Sequence, residues 1–83
     1  MNKFEYEIAQ HLGILSTGPK NWTKEANIVK WGGRTLRFDL REWDIRHEKM
    51  SKGITMNKAE VIELKRLLNS LDIEAWDFNE KPA

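Results

Sequence analysis

The chain has 83 residues, fourteen of them Lys or Arg and thirteen Asp or Glu, for a net charge of +1. That size fits one small domain, near the limit at which a single core is only marginally stable. It contains no cysteine, which excludes a disulfide framework and thiolate metal sites. No apolar stretch approaches the ~20 residues of a membrane span and Met1–Glu5 has no signal-peptide character, so a cytoplasmic protein without a membrane partner is expected.

Charge is distributed unevenly. Residues 20–52 hold nine Lys or Arg against five Asp or Glu, whereas the rest of the chain has five against eight, giving +4 and −3. Such segregation suits a local anionic footprint rather than diffuse stickiness.

In chain order, Phe4 to Leu15 reads as a first strand, with Tyr6, Ile8, Leu12 and Ile14 on one parity. Ser16–Asn21 is a loop by composition. Two strand-like runs follow, Trp22–Trp31 and Arg34–Trp43, separated only by Gly32-Gly33. A glycine pair there reads as a two-residue hairpin loop, because both central residues need positive φ. The implied register places Trp31 opposite Arg34, Val29 opposite Leu36, Ile28 opposite Arg37, Lys24 opposite Arg41 and Trp22 opposite Trp43.

Within the second run, Leu36, Phe38 and Leu40 alternate with Arg37, Asp39, Arg41 and Trp43, the pattern of a strand with one buried and one exposed face. The exposed face would then carry arginines and an indole together. Opposed like charges such as Lys24 and Arg41 cost roughly 0.2–1 kcal/mol, so folding alone gives little reason to build it. An anionic, ring-bearing partner would use both chemistries.

Beyond a polar connection, Asp44–Lys49, a short strand is expected near Met50–Met56. Strict alternation puts Lys52 in the core, so Gly53 is expected to mark a bulge that turns Lys52 outward. A helix follows. Asn57 is its N-cap, Glu60 completes a capping box, and Met56 with Val61 forms a hydrophobic staple. Val61, Leu64, Leu67, Leu68 and Leu71 form one stripe, while Ile62 points elsewhere, toward a dimer partner. Residues 1–72 are expected to form the domain. The tail 73–83 still holds Ile73, Trp76 and Phe78 and is expected to dock in part before fraying at Glu80–Ala83.

No catalytic constellation appears. His11 and His47 have no partner at metal-ligand spacing, so no metal or cofactor is expected. Asp39, Glu42 and Asp44 could suggest a two-metal nuclease, but Asp39 and Glu42 lie on opposite strand faces, and salt bridging beside Arg37 and Arg41 is the simpler role. There is no phosphate loop.

Phe38-Asp-Leu-Arg-Glu-Trp43, Lys52-Gly-Ile-Thr55 and the Asn-capped helix immediately after them resemble the transcriptional coactivator family of positive cofactor four, most closely its compact bacterial YdbC-like branch. The resemblance runs from about Phe4 to Leu71. It implies an α+β fold, a curved four-stranded antiparallel sheet followed by one C-terminal helix, in a homodimer with helices at the interface. It also implies binding of single-stranded DNA with little sequence preference, through Lys30, Trp31, Arg34, Arg41, Trp43 and Lys52. The register adds Trp22, Lys24 and Arg37 to that face. It also sets Trp31 on the core side, whereas the resemblance makes Trp31 a binding residue. The eukaryotic members carry two aromatics after Arg-Glu, where this chain has Trp43 and then Asp44.

The reading is therefore a non-enzymatic, nucleoid-associated single-stranded DNA binder acting in transcription or DNA maintenance, with transcription or repair proteins as further partners. Lys and Arg would hold phosphates, and Trp rings would stack on bases. A single-stranded RNA binder is the alternative within the class, since nothing here excludes a 2′-hydroxyl. A protein-interaction module, its Trp-rich face meeting an acidic polypeptide, is the alternative outside it.

Overall fold

A computed structural model describes residues 5–79. Four antiparallel strands, β1 (Tyr6–Thr17), β2 (Thr23–Trp31), β3 (Thr35–Trp43) and β4 (Ile54–Met56), lie in sequence order in one open sheet. The helix α1 (Lys58–Asn69) follows and contacts β3 and β4. The ββββα order read from the sequence is the observed one. Two expected features, a strand start at Phe4 and fraying at Glu80–Ala83, lie outside the described residues.

Local chemistry explains the helix. The Asn57 side chain accepts from the Glu60 N–H at 2.8 Å, and the Glu60 carboxylate accepts from the Asn57 N–H at 2.9 Å. This reciprocal box satisfies two of the donors that a helix start leaves unpaired. None of the α1 residues is buried within the protomer, and Ile62 is 59% exposed.

The β2–β3 hairpin corrects the expected register. Gly32 and Gly33 do take positive φ, 61° and 72°, and the Arg34 N–H donates to the Trp31 carbonyl at 3.2 Å. Strand pairing resumes only at Thr35, however, so Trp31 lies opposite Thr35 rather than Arg34. The loop is three residues long. Because side chains alternate, a slip of one residue exchanges the faces of one strand relative to the other. Val29 faces Arg37, Ile28 faces Phe38, Lys24 faces Glu42, and Thr23 takes the place opposite Trp43 that was expected for Trp22. Opposite charges, Lys24 with Glu42 and Glu25 with Arg41, replace the expected clash of Lys24 with Arg41.

The slip sorts the sheet into two faces. Thr23, Glu25, Asn27, Val29 and Trp31 share one with Thr35, Arg37, Asp39, Arg41 and Trp43, and all five buried residues of the described chain lie here: Glu25, Asn27, Val29, Asp39 and Trp43. Ala26, Ile28, Leu36, Phe38 and Leu40 share the other. Register shifts at Ile8/Gln10, His11/Gly13 and Ile14/Ser16 bend β1, and through them Tyr6, Ile8, His11 and Ile14 stay opposite Trp31, Val29, Asn27 and Glu25. His11 thus holds the place opposite Asn27 that simple alternation from Ile8 gives to Gln10, and Ile14 the place opposite Glu25 that it gives to Leu12. Bulges add bend and twist to a strand, and the sheet coils tightly: the Tyr6 ring lies 6.2 Å from that of Trp31 and 5.4 Å from that of Trp43.

β4 is shorter than expected. Met50 makes a single bridge to Trp43, residues 51–53 are outside the ladder, and Lys52 is exposed. Four residues of β3, from Leu40 to Trp43, are matched by five from Met50 to Ile54, so the extra residue expected near Gly53 is present and Lys52 is turned out of the core.

Candidate nucleic-acid interface

The coiled hairpin brings together residues that its register separates. Arg41 pairs with Glu25 on β2, six positions from Trp31, yet its guanidinium carbon lies 4.8 Å from the Trp31 ring centroid. That separation is within cation–π range. Around this contact is an open groove of about 470 Å³ lined by Trp31, Thr35, Arg37, Arg41 and Thr55. A recess of about 280 Å³ shares Trp31 and Arg41 and continues to Met50, Ser51 and Lys52. Of the residues singled out in the sequence, Trp31, Arg37, Arg41 and Lys52 thus line one continuous surface. Trp31 lies on the side of Val29, the face that holds the buried residues, as the register implied, but its companions there on β3 are Thr35, Arg37 and Arg41 rather than Leu36.

Arg41 is tightly held. Its Nε and Nη2 donate to Asp39 Oδ2 and Oδ1, each at 2.7 Å, and Nη1 is 3.4 Å from both Met50 Sδ and the Ser51 carbonyl. Asp39 is fully buried and the Arg41 side chain 12% exposed. Bidentate pairing of this kind fixes both position and plane. Gly53 makes room for it. A Cβ there would lie 2.4 Å from both Arg41 Cβ and the Leu40 carbonyl oxygen. Among the described residues, Arg37 and Lys52 form no ion pair.

The remaining candidates are placed differently. Arg34 is exposed in the hairpin turn, and Trp22 is half-buried just before β2. Lys24 and Lys30 lie on the opposite sheet face, where Lys24 lines a recess of about 270 Å³ that also reaches Lys52. Trp43 is corrected outright. Its expected exposure assumed that the charged face of β3 was the outer one, but it is fully buried, packed on Tyr6 and on the His47 ring at 5.7 Å. It has no face free for a base. Its Nε1, like that of Trp31, is buried without an acceptor among the described residues.

A polar cluster that the sequence did not suggest supports the sheet beside Trp43. Glu25, 1% exposed, accepts from Thr23 Oγ1 and from Asn27 Nδ2 at 3.1 Å, and lies 2.9 Å from His47 Nε2. His11 Nδ1 lies 2.7 Å from Asn27 Oδ1 and 3.6 Å from Glu25. Burial pushes the Glu25 carboxyl up, but hydrogen bonds from Thr23, Asn27 and His47, with the His47 charge, outweigh it, and its pKa falls below the ordinary 4.5. Tyr6 Oη donates to the His47 carbonyl at 2.8 Å, so the β3–β4 connection is tied to the sheet at two points. The partners are 14 and 22 residues apart in sequence, beyond any local motif. Among the described residues, no three ligating side chains are placed to hold a metal ion, and no helix is long and apolar enough to cross a membrane.

Comparison with known proteins agrees with this geometry. Residues 19–67, from the loop before β2 to the last turns of α1, match the family model described as Transcriptional Coactivator p15 (PC4). An uncharacterized protein of Treponema pallidum (strain Nichols) is 37% identical over 73 residues, spanning 88% of this chain and 86% of that protein. The matched family is a nucleic-acid-binding, non-enzymatic one, known for single-stranded DNA binding and transcription coactivation.

Proposed function

From the premise that this chain belongs to the transcriptional coactivator p15 (PC4) family, we propose that it binds single-stranded DNA with little sequence preference, in transcription or DNA maintenance. The observation that carries this reading is the convergence of Trp31, Arg37, Arg41 and Lys52 on one open groove. Cations supply a salt-dependent hold on phosphates, and a ring surface supplies stacking that any base can use. Stacking on a ring surface does not depend on base identity, which is the physical basis of the weak sequence preference in this reading.

The active unit in this reading is a homodimer. Helix α1 leaves Ile62, Leu67 and Leu68 exposed, as is Leu71 just beyond it, and a chain this small gains stability by covering them with a second copy. The test compares binding of labelled single-stranded DNA, duplex DNA and single-stranded RNA at one ionic strength. Single-stranded DNA should bind most tightly. Equal binding of RNA would move the reading to RNA, and no binding of any strand would favour an acidic protein partner.

A further inference from the structure

Three cations, Arg37, Arg41 and Lys52, line the groove and the recess beside it, and their surroundings are not alike. Arg41 is compensated. Its two Asp39 contacts neutralise the charge in the plane of the guanidinium, and Nη1 faces Met50 and Ser51. Of its five N–H donors, few remain for an incoming anion. One face of the guanidinium lies over the indole of Trp31, and the side chain keeps 12% of its surface exposed in the groove that both residues line. Arg37 lines the same groove, two residues before Asp39 on the same face of β3, and forms no ion pair among the described residues.

We propose a division of labour within this groove: Arg37 is its phosphate-binding cation, whereas Arg41 with Trp31 is a stacking platform for one nucleobase. Asp39 and Gly53 are positioning residues. Asp39 holds the guanidinium plane by its edge, and Gly53, lacking a side chain, leaves the space that the Arg41 stem occupies. Thr35 and Thr55 put hydroxyls on the groove wall beside the platform. The assignment rests on the single-stranded DNA reading and makes it more specific.

Salt dependence separates the two roles. A cation that neutralises a phosphate contributes about −0.7 to the slope of log K against log salt on a single strand, because it releases condensed counterions. An arginine already neutralised by a buried carboxylate contributes almost none. Arg41→Gln alone would leave Asp39 buried and unpaired, so the informative variant is the charge-neutral double substitution Asp39→Asn with Arg41→Gln. Binding to an oligothymidylate of about twenty nucleotides should weaken about 5- to 150-fold, the span of one lost stacking contact, with the slope unchanged. Arg37→Gln should weaken binding and flatten the slope by about 0.7 per groove engaged. Circular dichroism of each variant checks that the sheet is retained; if the double variant unfolds, Arg41→Lys, which keeps the charge and loses the plane, should show the same lowered affinity at wild-type slope. The assignment is overturned if the double variant flattens the slope by about 0.7, or if Arg37→Gln leaves it unchanged. A wild-type protein with no salt-dependent binding at all would remove the DNA reading and this assignment with it.

Discussion

Trp43→Ala decides between the face that alternation suggests and the face that the structure has. Trp43 and Val29 are the two apolar side chains fully buried among the described residues. Truncating a buried Trp costs about 3–5 kcal/mol. A chain of this size has in total roughly 4–12 kcal/mol, from ~0.05–0.15 kcal/mol per residue. The substitution therefore removes from about a quarter to all of the stability, and at ~4–8 °C per kcal/mol the melting temperature should fall by at least about 12 °C. Because Nε1 has no acceptor among the described residues, Trp43→Phe keeps most of the ring and removes an N–H whose burial costs ~1–3 kcal/mol, so it should be much milder. The assay is urea unfolding followed by far-ultraviolet circular dichroism, at one protein concentration because an oligomer's stability depends on it. Trp31→Ala is the converse control, with near-native melting and weakened oligonucleotide binding. A Trp43→Ala protein that melts within a few degrees of wild type but loses DNA affinity would refute the buried assignment.

Three further outcomes follow from the geometry. Glu25 has its folded pKa below 4.5, so its contribution to stability is present above that value and lost as pH falls through the folded pKa; Glu25→Gln should be less stable at neutral pH, with the gap to wild type closing below about pH 4.5 in urea titrations. Gly53→Ala must push against β3 backbone, so it should lower both melting temperature and oligonucleotide affinity, whereas Lys52→Ala should lower affinity alone. Ile62→Glu places a carboxylate on the exposed side of α1 and should give a monomer in sedimentation velocity at micromolar concentration; a wild-type protein that is itself monomeric there removes the proposed dimer.

The parts of this fold that were legible in the sequence are those fixed by near neighbours. The Asn57–Glu60 box spans four residues, and the positive φ at Gly32 and Gly33 needs only the glycines themselves. Loop length is a subtler matter. A two-residue and a three-residue hairpin are both compatible with Gly-Gly, and the difference of one residue decided which side chains Trp31 and Lys24 accompany. The bulges of β1, which place His11 rather than Gln10 opposite Asn27, had no signature either, since no glycine or proline marks most of them.

A deeper reason lies in the chemistry of β3. Its alternation is plain in the sequence, but isolated charges avoid burial, which points the charged set outward. Here they are buried in matched sets: Asp39 with Arg41, and Glu25 with Thr23, Asn27 and His47. Pairing removes the penalty that made the outward assignment reasonable; Arg41, Thr23 and Asn27 are same-strand neighbours two residues from their carboxylates, and His47 reaches Glu25 from the β3–β4 connection. The apolar set is the one left open, with Leu36 and Ile54 exposed on the sheet, Ile62, Leu67 and Leu68 exposed on α1, and Leu71 exposed just after it. A protomer that spends its interior on polar pairs and leaves aliphatic side chains outside has little core of its own. The proposed second copy supplies cover for that apolar surface, and it leaves the Trp31–Arg41 groove, which belongs to the other sheet face, facing solvent and open to a strand.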